Sequence, residues 1–205
     1  PTFWDTFNKF SGINWAEEPD QIIDDLTKMP GAEWFKGAQL NYAENLLKRR
    51  DGHPAIQFFG EDQIQKQLSF DDLYNQSACL ADFFKKSGLS VGDRVVAYMP
   101  NLPENIVCML AAVSRGAIWS SCSPDFGVKG VLDRFEQIQP KFLIVADGYL
   151  YKGNVIDYHE KINKVIQNLP SLKCIIRVKY IDVPHLIKFE NVTEFHEIIH
   201  ADQEE

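Results

Sequence analysis

The sequence predicts an α/β fold: an incomplete doubly wound parallel sheet preceded by a mostly helical extension. Three observations point that way. From residue 94 onward, short apolar runs recur about every 25 to 30 residues, a spacing that suits βαβ crossovers onto a parallel sheet. Between those runs lie segments with helical periodicity, stopped by Gly or Pro. Before residue 50 the chain is rich in Trp and Phe but shows no sustained strand pattern.

In the extension, residues 1–50, large aromatics (Phe3, Trp4, Phe7, Phe10, Trp15, Trp34, Phe35) are interrupted by Pro19, Pro30 and Gly31. Rings of that size need burial. Alone the segment has too little core to offset its ordering entropy, so it is expected to lie against the domain that follows, residues 51–205. That domain opens with a hairpin, Ala55–Phe59 and Ile64–Leu68, around a Gly60-Glu61-Asp62 turn. Ser69 then starts a helix. Ser69 and Asp72 have capping-box spacing, Phe70, Leu73, Tyr74, Ser77, Leu80, Ala81 and Phe84 share one face, and Lys85, Lys86 and Gly88 close it.

The repeating part follows. Strands are expected at Arg94–Met99, Ala117–Ser120, Phe142–Ala146 and Cys174–Val178. The helix between the first two has Pro103 at its start, Gly116 past its end and a body (Ile106–Val113) apolar almost all round, so it must be buried. Val128, Val131, Leu132, Phe135 and Ile138 mark the next helix, stopped by Pro140. Val155, Tyr158, Ile162, Val165, Ile166 and Leu169 mark another, stopped by Pro170. After Ile181 the tail carries a short helix candidate, Val192–His200, and no further full βα unit is expected there. A sheet stopped at that point would keep a bare edge, which natural domains avoid, so more chain is expected to follow. The first residue, Pro1, is not Met, which points to processing or truncation at the other end.

Composition narrows the function classes. The 205 residues are 45% hydrophobic, with 21 basic and 29 acidic side chains and a net charge of −8. The acidic residues are scattered, which argues against a nucleic-acid partner and against an anionic membrane surface. No run approaches the roughly 20 apolar residues that span a bilayer, and no signal-like start is present. Cys79, Cys108, Cys122 and Cys174 form no Cys-x-x-Cys pair, which disfavours a zinc ribbon and fits reduced, cytosolic thiols.

In an open α/β sheet the ligand lies beyond the carboxyl ends of the strands, which selects the loops 100–104, 120–127 and 147–154. None is a Walker loop or a G-x-G-x-x-G turn. The Ser120–Ser123 run offers hydroxyls and a thiol without a G-x-S-x-G elbow or identifiable His and acid partners, so it suits ligand hydrogen bonding better than nucleophilic attack. His196-Glu197-Ile198-Ile199-His200 matches H-E-x-x-H, which sets two zinc ligands on one helical face. Only Ala201–Glu205 remain for a third ligand, so a zinc hydrolase using His196 and His200 is the weaker alternative.

Three strings together resemble the acetoacetyl-CoA synthetase family of adenylate-forming acyl-CoA synthetases. They are W-F-K-G-A-Q-L-N-Y-A-E-N-L-L at 34–47, G-D-R-V-V-A-Y-M-P-N-L-P-E at 92–104 and R-G-A-I-W-S-S-C-S-P-D-F-G at 115–127. The second is common to most acyl-CoA synthetases; the other two are narrower. The resemblance implies the first part of the large domain of such an enzyme. It also implies a two-step ligation in which acetoacetate reacts with Mg-ATP to give an acyl-adenylate, from which the CoA thiol then displaces AMP. ATP, CoA and Mg are thus expected of the whole enzyme, none bound tightly by this chain alone, with the remainder of the adenylation domain as partner. By position, Ser123, Pro124, Asp125 and Phe126 match the segment along the CoA nucleotide. Tyr151, Lys152, Gly153 and Asn154 match a segment where relatives place basic residues near a CoA phosphate. Tyr151 and Asn154 stand where acetyl-CoA synthetases carry arginines, leaving Lys152 as the nearby cation. The family's Thr/Ser/Gly-rich phosphate loop, its acidic Mg motifs and its mobile-domain lysine have no counterpart, so no catalytic residue and no metal ligand is assigned. The isolated chain is expected to be inactive. The remaining alternative is a non-catalytic module that binds CoA or a nucleotide.

Overall fold

The computed structural model describes residues 2–61, 65–184 and 187–201. The chain forms two compact units, residues 1–48 and 49–205.

In the first unit, helix α1 (Thr2–Ser11) is followed by strands β1 (Gln21–Ile23) and β2 (Trp34–Lys36), paired antiparallel, and by helix α2 (Tyr42–Leu46). The Asn41 side chain caps α2 by accepting from the N–H groups of Ala43 and Glu44. The unit is less helical than its composition suggests. Three-residue strands are too short to leave a period-2 signature, and Gly37, at φ +80° with a Cβ position only 2.7 Å from the Asp20 carboxylate, marks the bend after β2. Nor does α1 bury its aromatics. Phe3, Trp4, Phe7 and Phe10 remain exposed or half-exposed, and the first three pack on one another while Trp4 meets Trp34 edge-on.

The second unit opens with the expected ribbon, β3 (Pro54–Phe59) against β4 (Gln65–Ser69); the Asp62–Ile64 part of its turn lies outside the described residues. Helix α3 (Phe70–Lys86) starts at Ser69 with a full capping box. The Asp72 N–H donates to the Ser69 hydroxyl while the Asp72 carboxylate accepts from the Ser69 N–H and hydroxyl. Leu73, Ser77, Leu80 and Phe84 form its buried stripe.

Next come β5 (Arg94–Tyr98), α4 (Pro103–Ser114), β6 (Ile118–Cys122), α5 (Val128–Ile138), β7 (Phe142–Ala146), the hairpin β8 (Tyr149–Tyr151) and β9 (Asn154–Ile156), α6 (His159–Gln167), β10 (Cys174–Val178), β11 (Val192–Glu194) and α7 (Phe195–His200). Five strands make one parallel sheet in the order β11-β10-β7-β5-β6. The step from β5 to β6 runs one way and the return to β7 runs the other, so crossovers of one hand put α4 and α5 on opposite faces. Helices α3, α4 and α7 cover one face, and α5 and α6 cover the other. Strands β7 and β10 are buried at every position, which explains their unbroken apolar sequences, whereas β6, with one strand partner, leaves Ile118 54% exposed.

Two expectations need correcting. Val155 belongs to β9, and the helix begins only at His159: residues 149–156 form a hairpin too short for periodicity to separate from the helix that follows. The tail does supply a further βα step, because Val192–Glu194 pairs in parallel with β10 before α7 begins. Cys108, Cys122 and Cys174 are buried and Cys79 half-buried, none in a disulfide.

Candidate CoA-nucleotide loops

The carboxyl end of β5 organises the region selected from the sequence. The helix that follows β5 lies on one face, while those that follow its neighbours β6 and β7 lie on the other, the arrangement that opens a crevice at the strand ends. Tyr98, the last residue of β5, is fully buried. Its hydroxyl lies 2.7 Å from the Phe126 carbonyl and 3.3 Å from that of Pro124, and so anchors the loop after β6 by donating to it. Burial, with smaller contributions from Tyr149, Cys122 and Asp125, pushes the Tyr98 phenol up to about 12, so it remains a donor at any physiological pH.

Within that loop the Ser123 carbonyl accepts from the Phe126 N–H, and the Ser123 hydroxyl donates to the Asp125 carboxylate at 3.1 Å. Pro124 is buried beneath the turn, while Ser123, Asp125 and Phe126 face outward. The Arg134 guanidinium, from the second turn of α5, lies 4.7 Å over the Phe126 ring and donates to the Gly130 carbonyl at 2.6 Å. Lys152 is therefore not the only cation near these segments. Arg134 escapes sequence reasoning because it lies seven residues beyond Gly127, on a helix read only for its apolar face.

Tyr158 is the second organiser. Its hydroxyl donates to the Tyr98 carbonyl at 2.9 Å and accepts from the Ala146 N–H at 3.1 Å, which bridges the ends of β5 and β7. The Tyr98, Tyr158 and Tyr149 rings meet edge to face. Burial, followed by the nearby Asp125 charge, raises the phenol of Tyr149, which opens the hairpin. Loop 123–126 and the base of the hairpin are thus tied together through three tyrosines. The sequence places Tyr98 in a strand, Tyr149 in the loop 147–154 and Tyr158 in a helix, and gives none of the three a role at the site.

The hairpin tip goes elsewhere. Lys152 and Gly153 both have left-handed φ values, +52° and +75°, and their N–H groups donate to the Glu61 carboxylate at 3.1 and 2.8 Å. The Asn154 side chain donates to the Lys152 carbonyl, and the Lys152 ammonium lies 5.3 Å over the Tyr151 ring. Tyr151 to Asn154 are all exposed.

Behind the hairpin, Asp147 is fully buried at the end of β7 and accepts from the N–H groups of Tyr180, Ile181 and Val183. Arg177 lies 3.9 Å from Asp147, donates to the Val183 carbonyl and pairs with Glu194 at 2.8 Å. This lattice ties the ends of β7, β10 and β11 into one platform. His196 and His200 are exposed on the single turn and a half of α7, and among the described residues no group of three or more His, Cys, Asp or Glu side chains could hold a metal. The acidic residues that remain downstream for a third ligand, Asp202, Glu204 and Glu205, lie outside the described residues. No helix of the described chain is long and apolar enough to cross a membrane.

Comparison with known proteins agrees with the fold. The family described as "AMP-binding enzyme" matches residues 43–204, and the one described as "Acetyl-coenzyme A synthetase N-terminus" matches residues 1–46. Acetoacetyl-CoA synthetase of Macaca fascicularis is 43% identical over 185 residues, which cover 87% of this chain and 27% of that protein. Acetoacetyl-coenzyme A synthetase of Rhizobium meliloti is 45% identical over 161 residues, covering 78% of this chain and 25% of that protein. The structure of acetoacetyl-CoA synthetase from Streptomyces lividans superposes with a TM-score of 0.86 at 33% identity, over 97% of this chain and 30% of that one. The chain thus spans about a quarter of the length of the curated relatives it matches.

Proposed function

Because the chain belongs to the AMP-binding enzyme family, we propose that it is the opening part of an ATP-dependent ligase that joins acetoacetate to CoA through an acyl-adenylate. Its own share of that work is to form one wall for the CoA nucleotide. The names of its relatives support the acid and the thiol, and the observation that carries the local role is the linkage of loop 123–126 to the hairpin through Tyr98 and Tyr158. On this reading residues 1–50 form an extension to the first section of an adenylation domain, 51–205, whose remainder is the partner, and the enzyme works in the cytosol.

The chemistry of the loop fits a nucleotide. Phe126, half-exposed and backed by Arg134, offers a face on which an adenine can stack. Ser123 and Asp125 offer a hydroxyl and a carboxylate to ribose or base edges, and the hairpin tip offers the Lys152 ammonium to phosphate, beside the two amides that Glu61 holds. For Mg-ATP, by contrast, no acidic cluster stands ready among the described residues and the sequence holds no phosphate loop, so no adenylation step is assigned to this chain.

Titration of the 15N-labelled protein with CoA tests the wall. Shifts should concentrate at residues 123–127 and 150–154, with a dissociation constant in the range of roughly 0.1–1 mM, weakened several-fold by Phe126→Ala. No response at either segment at several millimolar CoA would refute the reading.

A further inference from the structure

The tip of the hairpin is already occupied by an anion from its own chain. Two successive residues in the left-handed region form the tight turn of a two-residue hairpin, and their N–H groups point to the same side, where an anionic oxygen pair can accept from both. Lys152 and Gly153 do this, and the two oxygens of Glu61 take one N–H each, at 3.1 and 2.8 Å.

The chain reaches that point by a deliberate path. Glu61 follows Gly60 directly out of β3, and a Cβ at Gly60 would stand 2.9 Å from the Tyr180 hydroxyl and 3.0 Å from the Phe58 ring. Glycine thus lets the backbone pass close under Tyr180, whose ring packs edge-on against Phe58. Meanwhile the Lys152 ammonium lies over Tyr151, so the donors that meet the carboxylate are the two amides.

We propose that Glu61 is an internal competitor that fills a two-amide seat for a phosphate-class anion, so that it latches the hairpin tip to the β3–β4 turn until a ligand phosphate displaces it. The inference rests on the reading above for its physiological ligand, a phosphate of CoA, but the seat itself stands on the two amides. A carboxylate and a phosphate require the same donors and repel each other, so they occupy the seat in turn. By linkage, what Glu61 takes from the ligand's affinity the ligand returns as release of the latch.

Glu61→Gln and Glu61→Ala, both at an exposed position, test this on the labelled protein with two probes. Without ligand, the Lys152 and Gly153 amides should exchange faster in both variants than in the parent. Inorganic phosphate at tens of millimolar should shift those two amides in the variants and much less in the parent. CoA should bind the variants roughly fivefold tighter. If phosphate leaves the two amides unmoved in both variants, or if CoA binds the parent and loses or keeps its affinity in the variants, the competitor role is overturned. If phosphate moves the amides but CoA binds none of the three proteins, the seat stands and the CoA reading fails.

Discussion

The Tyr98 hydroxyl donates to loop 123–126 from a buried phenol, and replacing it with Phe keeps the ring while removing the donor. Tyr98→Phe should cost about 1 kcal/mol in urea unfolding, the net worth of an ordinary hydrogen bond. Proteolysis within 123–127 should speed up, whereas a purely steric role for the ring would leave it unchanged. Gly148 gives a larger effect. A Cβ there would sit 2.3 Å from Ile181 Cδ1 and 3.0 Å from the Ile156 carbonyl oxygen; the side chain can swing away but the backbone cannot. Gly148→Ala should therefore lower stability by about 1–3 kcal/mol, the usual range for overpacking. Asp147 next to it shows why single residues were the hardest part to read. Its sequence context, an acid after an apolar strand, is that of any turn, and its three backbone partners lie more than thirty positions away.

Elements were easier to read, because periodicity and stop signals act locally. The capping box at Ser69, the Pro-started apolar α4 and the fully apolar β7 and β10 were all evident in the sequence, and each agrees with its buried pattern. The short pieces were not: β8, β9 and β11 have three residues each and gain their order from neighbours. Ser69→Ala removes one half of the α3 cap and should cost about 1 kcal/mol, read by chemical unfolding. The loop before β5 provides a pH test. Burial raises the Asp93 carboxyl, but the Lys141 ammonium at 2.9 Å and the Ser90 N–H outweigh it and hold it below the usual carboxylate range. A depressed native value means that the contribution is complete above the unfolded value, near pH 4, and fades as pH falls through the native one. The stability difference between the parent and Asp93→Asn should thus be level near pH 6–7 and shrink below about pH 4. A difference that grew on acidification would contradict the pairing.

At the scale of the molecule, the doubly wound class followed from the spacing of four apolar runs, and the superposition on an enzyme structure at a TM-score of 0.86 agrees with it. Strand order did not follow, since crossover direction leaves no local trace: nothing in the residues of β6 and β7 says that they flank β5 on opposite sides. The candidate site divided along the same line. Its loops were found by their position after strands, while the partners that hold them, Tyr98, Tyr149, Arg134 and Glu61, come from four different places in the chain.

The burial of three of the four cysteines has a practical use. Burial pushes the Cys108, Cys122 and Cys174 thiols up, Cys108 farthest with the Glu104 charge adding to it, so they stay protonated and shielded while the sheet is closed. A chromogenic thiol reagent should label Cys79 first and the other three only as fast as the sheet opens, all four at once in denaturant. The protein therefore carries its own stopwatch for unfolding, with no dye or tag to be engineered in.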